Sequence, residues 1–436
     1  MTENNNIGMQ KAVLIGIVTP GASEGDLQVS LDELERLCDT AGIFAEARLS
    51  QNRSSPDPGT YIGSGKLEEA KDIIAANGIN LAVIDDELSP SQIRNIEDKL
   101  DIEVIDRTML ILEIFANHAH TSEGKLQVEI AQLRYTAPRL TGKGKDMTRI
   151  GGGGVGGGGA GGGVGGGAGG GGVGGARRGG GETKLETERR IIRANVAALE
   201  KEIVQLEKTR GLMRSRREKA GVPNIAIAGY TNSGKSTLLN YLTRAGVLAE
   251  NKLFATLDPT TRKLRLPNGT EVLLTDTVGL IKKLPHHLVR AFKSTLDEII
   301  YADIILLVAD ISDPEHNGQI EITRSLLAEM GAADKPFIIV YNKIDAAGEI
   351  DRCDGVYISA KTGEGVDGLL LEIQAVLASR RRPVTFMFEL DGREQVHINN
   401  LYKNALVSDV SYDGASVTVK AVAEERMRSM YAEFVR

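Results

Sequence analysis

An apolar run, Asn224-Ile-Ala-Ile-Ala228, leads straight into Gly229-Tyr230-Thr231-Asn232-Ser233-Gly234-Lys235-Ser236. This order reads as a buried strand, a glycine-rich turn and the start of a helix. Gly229 and Gly234 permit positive φ and close backbone approach, so successive N–H groups can converge on a β-phosphate. Lys235 is then placed to reach the β- and γ-phosphates, and the Ser236 hydroxyl to ligate Mg²⁺. The expected fold class is α/β, with a phosphate-loop domain built on a parallel-type central sheet, and the expected ligand is a nucleotide.

The base is read from Asn342-Lys343-Ile344-Asp345, which follows the strand-like Phe337-Ile-Ile-Val-Tyr341. That places it at the carboxyl end of a parallel sheet, where nucleotides bind. Asp345 can accept from the ring N–H and exocyclic amine of guanine, Asn342 can meet its carbonyl edge, and the Lys343 stem can lie along the ring. Adenine lacks that amine and would leave a carboxylate unpaired, at about 1–3 kcal/mol or more. Ser359-Ala360-Lys361, after the strand-like Gly355-Val-Tyr-Ile358, can close its backbone over the guanine carbonyl.

Between these motifs stands Asp276-Thr277-Val278-Gly279, after the alternating Glu271-Val-Leu-Leu-Thr275. An Asp here can hold Mg²⁺ through water, and the Gly279 amide can sense the γ-phosphate, which makes the segment a two-state switch. Ras-like enzymes place a water-orienting glutamine after that glycine. This chain has Leu280. Slow intrinsic hydrolysis is expected, with a second component ordering the water; the other reading is an internal group that replaces the glutamine. The remaining switch ligand is a threonine within Phe254-Ala255-Thr256-Leu257-Asp258-Pro259-Thr260-Thr261-Arg262. Spacing from Ser236 favours Thr256 as second metal ligand, and Thr261 is the runner-up. Lys235, Thr256 and Gly279 are the candidate catalytic residues, and Gly229–Ser236, Phe254–Asp258, Asp276–Gly279, Asn342–Asp345 and Ser359–Lys361 are the candidate nucleotide-binding residues.

The stretches Gly229–Asn240, Phe254–Arg262 and Asp276–Ile281 resemble the HflX GTPases. So do four stretches further upstream: Pro56–Lys66, Asp86–Gln92, Val104–Thr108 and Glu123–Glu129. The resemblance covers about residues 10 to 380. It implies a GTP-hydrolysing protein with Mg²⁺ as cofactor that binds the large ribosomal subunit and its RNA and splits or rescues ribosomes. It also implies a glycine-rich loop followed by Gly-Pro-Gly-Glu. Here the loop is expanded and reads Gly179-Gly-Gly-Glu182.

At 436 residues and 41% hydrophobic content the chain is long enough for several conventional cores. The expected division is an α/β domain over 1–118, an antiparallel helical hairpin over 119–220, a GTPase domain over 221–380 and an α+β appendage over 381–436. The N-terminal segment reads as strands at 12–18, 81–84 and 103–105, with a helix from Ser30 to Ala41 capped by Ser30. Gly63-Ser-Gly-Lys66 is expected to be a turn rather than a second phosphate loop, because Thr60 stands where the first glycine belongs and Leu67 replaces the hydroxyl. Asp85-Asp86-Glu87 reads as a solvated loop or, less simply, a metal site. In the hairpin, helices are expected at about 122–135 and 182–217. Ile192, Val196, Leu199, Ile203 and Leu206 form a seam, and the tip is the glycine tract 151–181. Free, such a tract spans on the order of 30 Å. In the appendage the sequence suggests a strand at 384–389, a hairpin about Asp413-Gly414 and a final helix from 423 to 434.

The net charge of −7 argues against a chain coated with RNA throughout. Basic residues nevertheless cluster at the hairpin, among them Arg177, Arg178, Arg189, Arg190 and Arg193, a stripe able to neutralise RNA phosphates. Its other reading is a solvated coiled-coil face balanced by glutamates such as Glu186 and Glu200. No Trp and 4% aromatics disfavour base stacking. Cys38 and Cys353 lie far apart and read as reduced thiols, and no membrane-length apolar stretch or secretory signal is apparent. A cytoplasmic monomer without stable membrane association is expected. His118-x-His120 and His286-His287 lack Cys or carboxylate partners at ligand spacing and read as ordinary histidines. Two alternatives stand beside the ribosomal reading: an Obg-like regulatory GTPase with a protein or membrane partner, and a structured-RNA-binding or remodelling module gated by the GTPase.

Overall fold

The protein is represented by a computed structural model that describes residues 10–140, 180–219, 222–244, 253–254, 257–283, 285, 288, 293–349, 352–379, 381–390 and 392–436. The chain divides into two units, Met1–Ala116 with Lys125–Leu206, and Asn117–Gly124 with Glu207–Arg436.

The first unit is built on four parallel strands in the order β2-β1-β3-β4. They are β1 (Lys11–Val18), β2 (Phe44–Asn52), β3 (Leu81–Ile84) and β4 (Glu103–Asp106). Strands β1 and β3 are fully apolar at their centres, as burial on both faces of a parallel sheet requires. The connecting helices are α1 (Glu24–Ala41), α2 (Ser64–Asn77) and α3 (Pro90–Leu100), and α4 (Arg107–His118) follows β4. Helix α1 starts about two turns earlier than expected. Its cap is Ser23, whose Oγ accepts from the Asp26 N–H at 3.1 Å while the Asp26 carboxylate accepts from the Ser23 N–H at 2.8 Å. The polar first turn of Glu24, Gly25 and Asp26 hid this start, because the apolar stripe begins only at Leu27.

Ser30, expected as the cap, is instead 3% exposed in mid-helix and donates to Asp85 Oδ2 at 2.6 Å. Asp85 is no part of a solvated loop. It is fully buried, and its other oxygen accepts from Arg107 Nη1 at 2.9 Å, while Arg107 Nη2 meets Glu33 at 3.2 Å. A buried carboxylate of this kind persists only because every oxygen is engaged. Ser30→Ala should therefore cost about 1.5–3 kcal/mol, the loss of a hydrogen bond to a buried charge. Urea unfolding of the variant measures it. The Gly63-Ser-Gly-Lys66 stretch opens α2, with Gly63 as cap and Leu67 buried against the sheet, so it forms no phosphate cradle.

Helix α5 (Ser122–Thr136) and the 40-residue helix α6 (Gly180–Lys219) each contribute residues to both units. In the first unit Arg134 of α5 meets Glu200 of α6, and in the second Glu123 of α5 meets Arg210 of α6 at 3.0 Å. Ile192, Val196, Leu199, Ile203 and Leu206 are all half-buried, each flanked by at least one exposed neighbour. The glycine tract lies outside the described residues apart from Gly180 and Gly181, which belong to α6.

The second unit contains a six-stranded sheet in the order β10-β9-β8-β5-β7-β6, parallel except for β6 against β7. Its strands are β5 (Asn224–Gly229), β6 (Thr260–Arg265), β7 (Glu271–Asp276), β8 (Ile304–Asp310), β9 (Phe337–Asn342) and β10 (Val356–Tyr357). Helices α7 (Lys235–Thr243), α8 (Lys293–Ile300), α9 (His316–Glu329) and α10 (Val366–Ser379) accompany them. Beyond α10, β11 (Arg381–Glu389), β12 (Leu406–Asp413) and β13 (Ser416–Glu424) form an antiparallel sheet in the order β11-β13-β12, with α11 (Glu394–Asn404) and α12 (Glu425–Met430). The final helix expected from 423 is displaced by β13. Val417, Val419, Ala421 and Ala423 are buried at every second position, so the strand period persists to Glu424 before a short helix can start.

Candidate functional site

The phosphate loop lies between β5 and α7, at the carboxyl ends of the sheet strands. Gly229 has φ 154° and Gly234 has φ 92°, and a Cβ on either would lie 2.2 Å from Val308 O or Asn342 Nδ2 respectively. Both positions thus demand glycine for room as well as for torsion. Asn232 between them also has positive φ, 58°. The hydroxyls of Thr231 and Ser233 are buried without a hydrogen-bond partner. Orphaned buried hydroxyls in a glycine-rich loop between strand and helix fit an anion.

Lys235 is 6% exposed, and its Nζ donates to the Tyr230 carbonyl at 2.7 Å. Burial pushes its ammonium down to about 8, with Asp276 pulling it back up and Lys343 lowering it further. Ser236, the first residue but one of α7, donates through Oγ to Asp276 Oδ2 at 2.6 Å. A hydroxyl and a carboxylate side by side are hard oxygen donors suited to Mg²⁺.

The switch segment is zipped onto this loop. Leu280 N donates to Gly229 O at 3.1 Å, Thr231 N donates to Leu280 O at 2.9 Å, and Lys282 N donates to the Tyr230 hydroxyl at 2.8 Å. Thr277 turns inward, its hydroxyl donating to Ile227 O at 2.7 Å, and Val278 is buried beside it. Gly279 packs so tightly that a Cβ would lie 2.8 Å from Thr231 Cγ2 and 3.2 Å from Lys235 Nζ. Leu280 is 1% exposed and belongs to the apolar cluster of Ala226, Ala228, Leu296, Ile299 and Ile305. Its side chain is a core residue, which its place after Gly279 did not reveal.

Of the first switch segment, Phe254 and Leu257 are buried, at 2% and 1% exposure. Asp258 turns to the start of α5, where its carboxylate accepts from the N–H groups of His120 and Thr121. Ala255 and Thr256, the favoured metal ligand, lie outside the described residues, as do His286 and His287. Thr261, the runner-up, is in β6, with its hydroxyl 3.0 Å from that of Thr275 on β7.

The residues expected to read guanine come together at the ends of β9 and β10. Asn342 ties three loops, donating from Nδ2 to Ser233 O and accepting at Oδ1 from Ala360 N, both at 2.9 Å. Ser359, fully buried, donates to Asp345 Oδ1 at 2.7 Å and so aims that carboxylate. Ile344 N donates to Ile358 O at 3.3 Å, Lys343 has φ 67° and pairs with Asp310 at 2.6 Å, and Lys361 is exposed. Sequence reading assigned no role to Asp310, the last residue of β8. Among the described residues no group of three or more His, Cys, Asp or Glu side chains is arranged to hold a metal ion.

Phosphate loop, switch and guanine-reading loop, in this order on the carboxyl ends of one parallel sheet, define a P-loop GTPase domain. Residues 224–343 match the family described as 50S ribosome-binding GTPase. Residues 28–116 and 118–217 match the GTP-binding GTPase N-terminal and Middle Region families. The chain is 45% identical over 421 residues to "GTPase HflX" of Lacrimispora saccharolytica, covering 95% of this chain and 94% of the relative. It is 40% identical over 369 residues to "GTPase HflX" of Escherichia coli K12, covering 83% and 81%. A solved structure described as a complex of SsGBP and GDP has 25% identity, covering 84% of this chain and 98% of that one, at a TM-score of 0.45. The chain belongs to the HflX family of GTPases, and it hydrolyses GTP.

Proposed function

We propose that this GTPase binds the large ribosomal subunit and its RNA, splits or rescues ribosomes, and hydrolyses GTP efficiently only on that surface. The carrying observation is Leu280, whose side chain is packed into the core while its backbone closes over the phosphate loop. An apolar group sealed in this way can neither orient nor polarise water, so the component that does so comes from a partner. The matched family's description, 50S ribosome-binding GTPase, supports the choice of partner.

In this reading the backbone N–H groups of Tyr230 to Lys235 bind the phosphates and Lys235 neutralises charge on the β- and γ-oxygens. Ser236 and Thr256 would hold Mg²⁺, with the Asp276 carboxylate beside Ser236; the ion would offset negative charge on the phosphate oxygens. The γ-phosphate pulls the Gly279 N–H toward itself, which opens the pairing of Leu280 with Gly229 and Thr231. Asp345 and Asn342 select guanine, with Ser359, Ala360 and Lys361 closing over its carbonyl. The chain works as a cytoplasmic monomer, with an N-terminal α/β domain over 1–118, the helical hairpin over 119–220 as RNA-facing element, the GTPase domain over 221–380 and an appendage over 381–436.

The test is GTP turnover by the whole chain with and without purified large subunits at two salt concentrations. Stimulation that weakens with salt is expected. A rate indifferent to subunits would overturn the proposal, and stimulation by a protein or a membrane fraction instead would favour an Obg-like regulator.

A further inference from the structure

Asp258 lies two residues after Thr256 and two before Thr260, where β6 begins, and its side chain is engaged by the residues at the start of α5. Oδ2 accepts from the N–H groups of His120 at 2.9 Å and Thr121 at 2.8 Å, and Oδ1 accepts from the Thr121 hydroxyl. That hydroxyl in turn accepts from the Gly124 N–H at 3.0 Å, so Thr121 caps α5 and Asp258 completes the cap from a segment 137 residues away. A carboxylate at a helix N-terminus is also favoured by the helix dipole. The fit leaves no slack, since a Cβ on Gly124 would lie 2.4 Å from Asp258 Oδ1. The same turn of α5 is held to α6 through Glu123 and Arg210.

We propose that Asp258 is a positioning residue that couples the nucleotide switch to the helix pair through the cap of α5. This rests on the reading of Thr256 as the switch ligand. The chain around it is pinned at Phe254 and Leu257, which are buried, at Asp258, and at Thr260, which pairs with Asp276 in the sheet. Asp258 stands two residues before Thr260, whose strand partner Asp276 accepts from the Ser236 hydroxyl at 2.6 Å, so a shift of Asp258 is passed on to the residues around the phosphate loop. The nucleotide that orders the switch then orders the α5 cap, and a load on α5 and α6 alters nucleotide preference by the same factor, because coupling between two sites is reciprocal. A carboxylate needed only for folding would show no such preference.

The experiment measures affinities of the full chain for a non-hydrolysable GTP analogue and for GDP, with Mg²⁺, by fluorescent-nucleotide titration. Thr256→Ala comes first and should abolish the preference for the analogue; if it does not, the switch reading fails and the coupling is unsupported. Given that loss, Asp258→Ala should lower the ratio of analogue to GDP affinity roughly 5- to 30-fold, the usual range of such couplings. Gly124→Ala should lower it comparably although it changes no switch residue. Alanine is the better helix former, so the helix itself does not suffer. The double variant should be no worse than either single one, and Asp258→Asn, which keeps one acceptor geometry, should fall between. Thr121→Ala removes a hydroxyl without adding bulk and replaces Gly124→Ala should that variant fail to fold. A wild-type ratio in a folded Gly124→Ala or Thr121→Ala protein, or losses that multiply in the double variant, would overturn the proposal.

Discussion

Lys235→Met is expected to lower kcat/KM for GTP about 10³-fold while making the nucleotide-free protein more stable at pH 7. Both effects come from one buried ammonium. Its charge is held 6% exposed with a carbonyl for a partner, which is costly without phosphate and well placed to offset the negative charge that accumulates on transferring oxygens. Because burial depresses its pKa from 10.5 to about 8, the unfolded chain binds the extra proton between those values. Stability of the wild type therefore rises with pH across that window, and the buried charge costs about 3 kcal/mol below it. Methionine fills the same space without the charge. Its stability advantage should be full below pH 8 and shrink toward pH 10.5, a comparison that urea unfolding at pH 7 and pH 10 makes directly. A variant that lost turnover and stability together would mean that the ammonium is a structural tie.

Asp345→Asn is expected to weaken GTP binding roughly 10²- to 10³-fold and to improve binding of xanthosine triphosphate over the wild type. The carboxylate offers two acceptors to two donors on guanine, the ring N–H and the exocyclic amine. Xanthine replaces that amine by a carbonyl, which an aspartate repels and an asparagine amide can serve. Ser359 decides which way the new side chain faces. Its hydroxyl donates to Asp345 Oδ1 at 2.7 Å, so in the variant the carbonyl oxygen takes that place and the NH₂ turns to the base. Competition titrations with the two nucleotides measure the exchange. Equal loss for both would show that the residue supports the loop without reading the base.

The phosphate loop and the Asn-Lys-x-Asp loop were legible because their chemistry is local: spacing, glycine torsion and the preceding apolar strand all sit within about a dozen residues. The seam of α6 was legible for the same reason. What escaped was fixed by partners distant in sequence. Strand β2 lies at a sheet edge with mostly exposed or half-exposed residues, so it carries little of the apolar signal that marks β1 and β3. Asp85 looked like one of three loop acids until Arg107 and Ser30 were brought to it by the fold. Asp258 looked like a nucleotide neighbour because it stands beside Thr256, yet its contacts are with His120 and Thr121. Local pattern tells which residues can do chemistry; it does not tell which way a side chain is turned.

Leu280 carries one more implication, for ancestry and for engineering. A glutamine introduced there would have to bury its amide among Ala228, Leu296 and Ile299, or swing outward and abandon the packing that Leu280 provides. Either route imposes a penalty of about 1–3 kcal/mol before any water is oriented. A water-orienting glutamine at this position is thus not one codon away. Under the proposed function, dependence on a partner is tied to the core of the domain, and undoing it would require rebuilding the wall behind the residue as well as the residue itself.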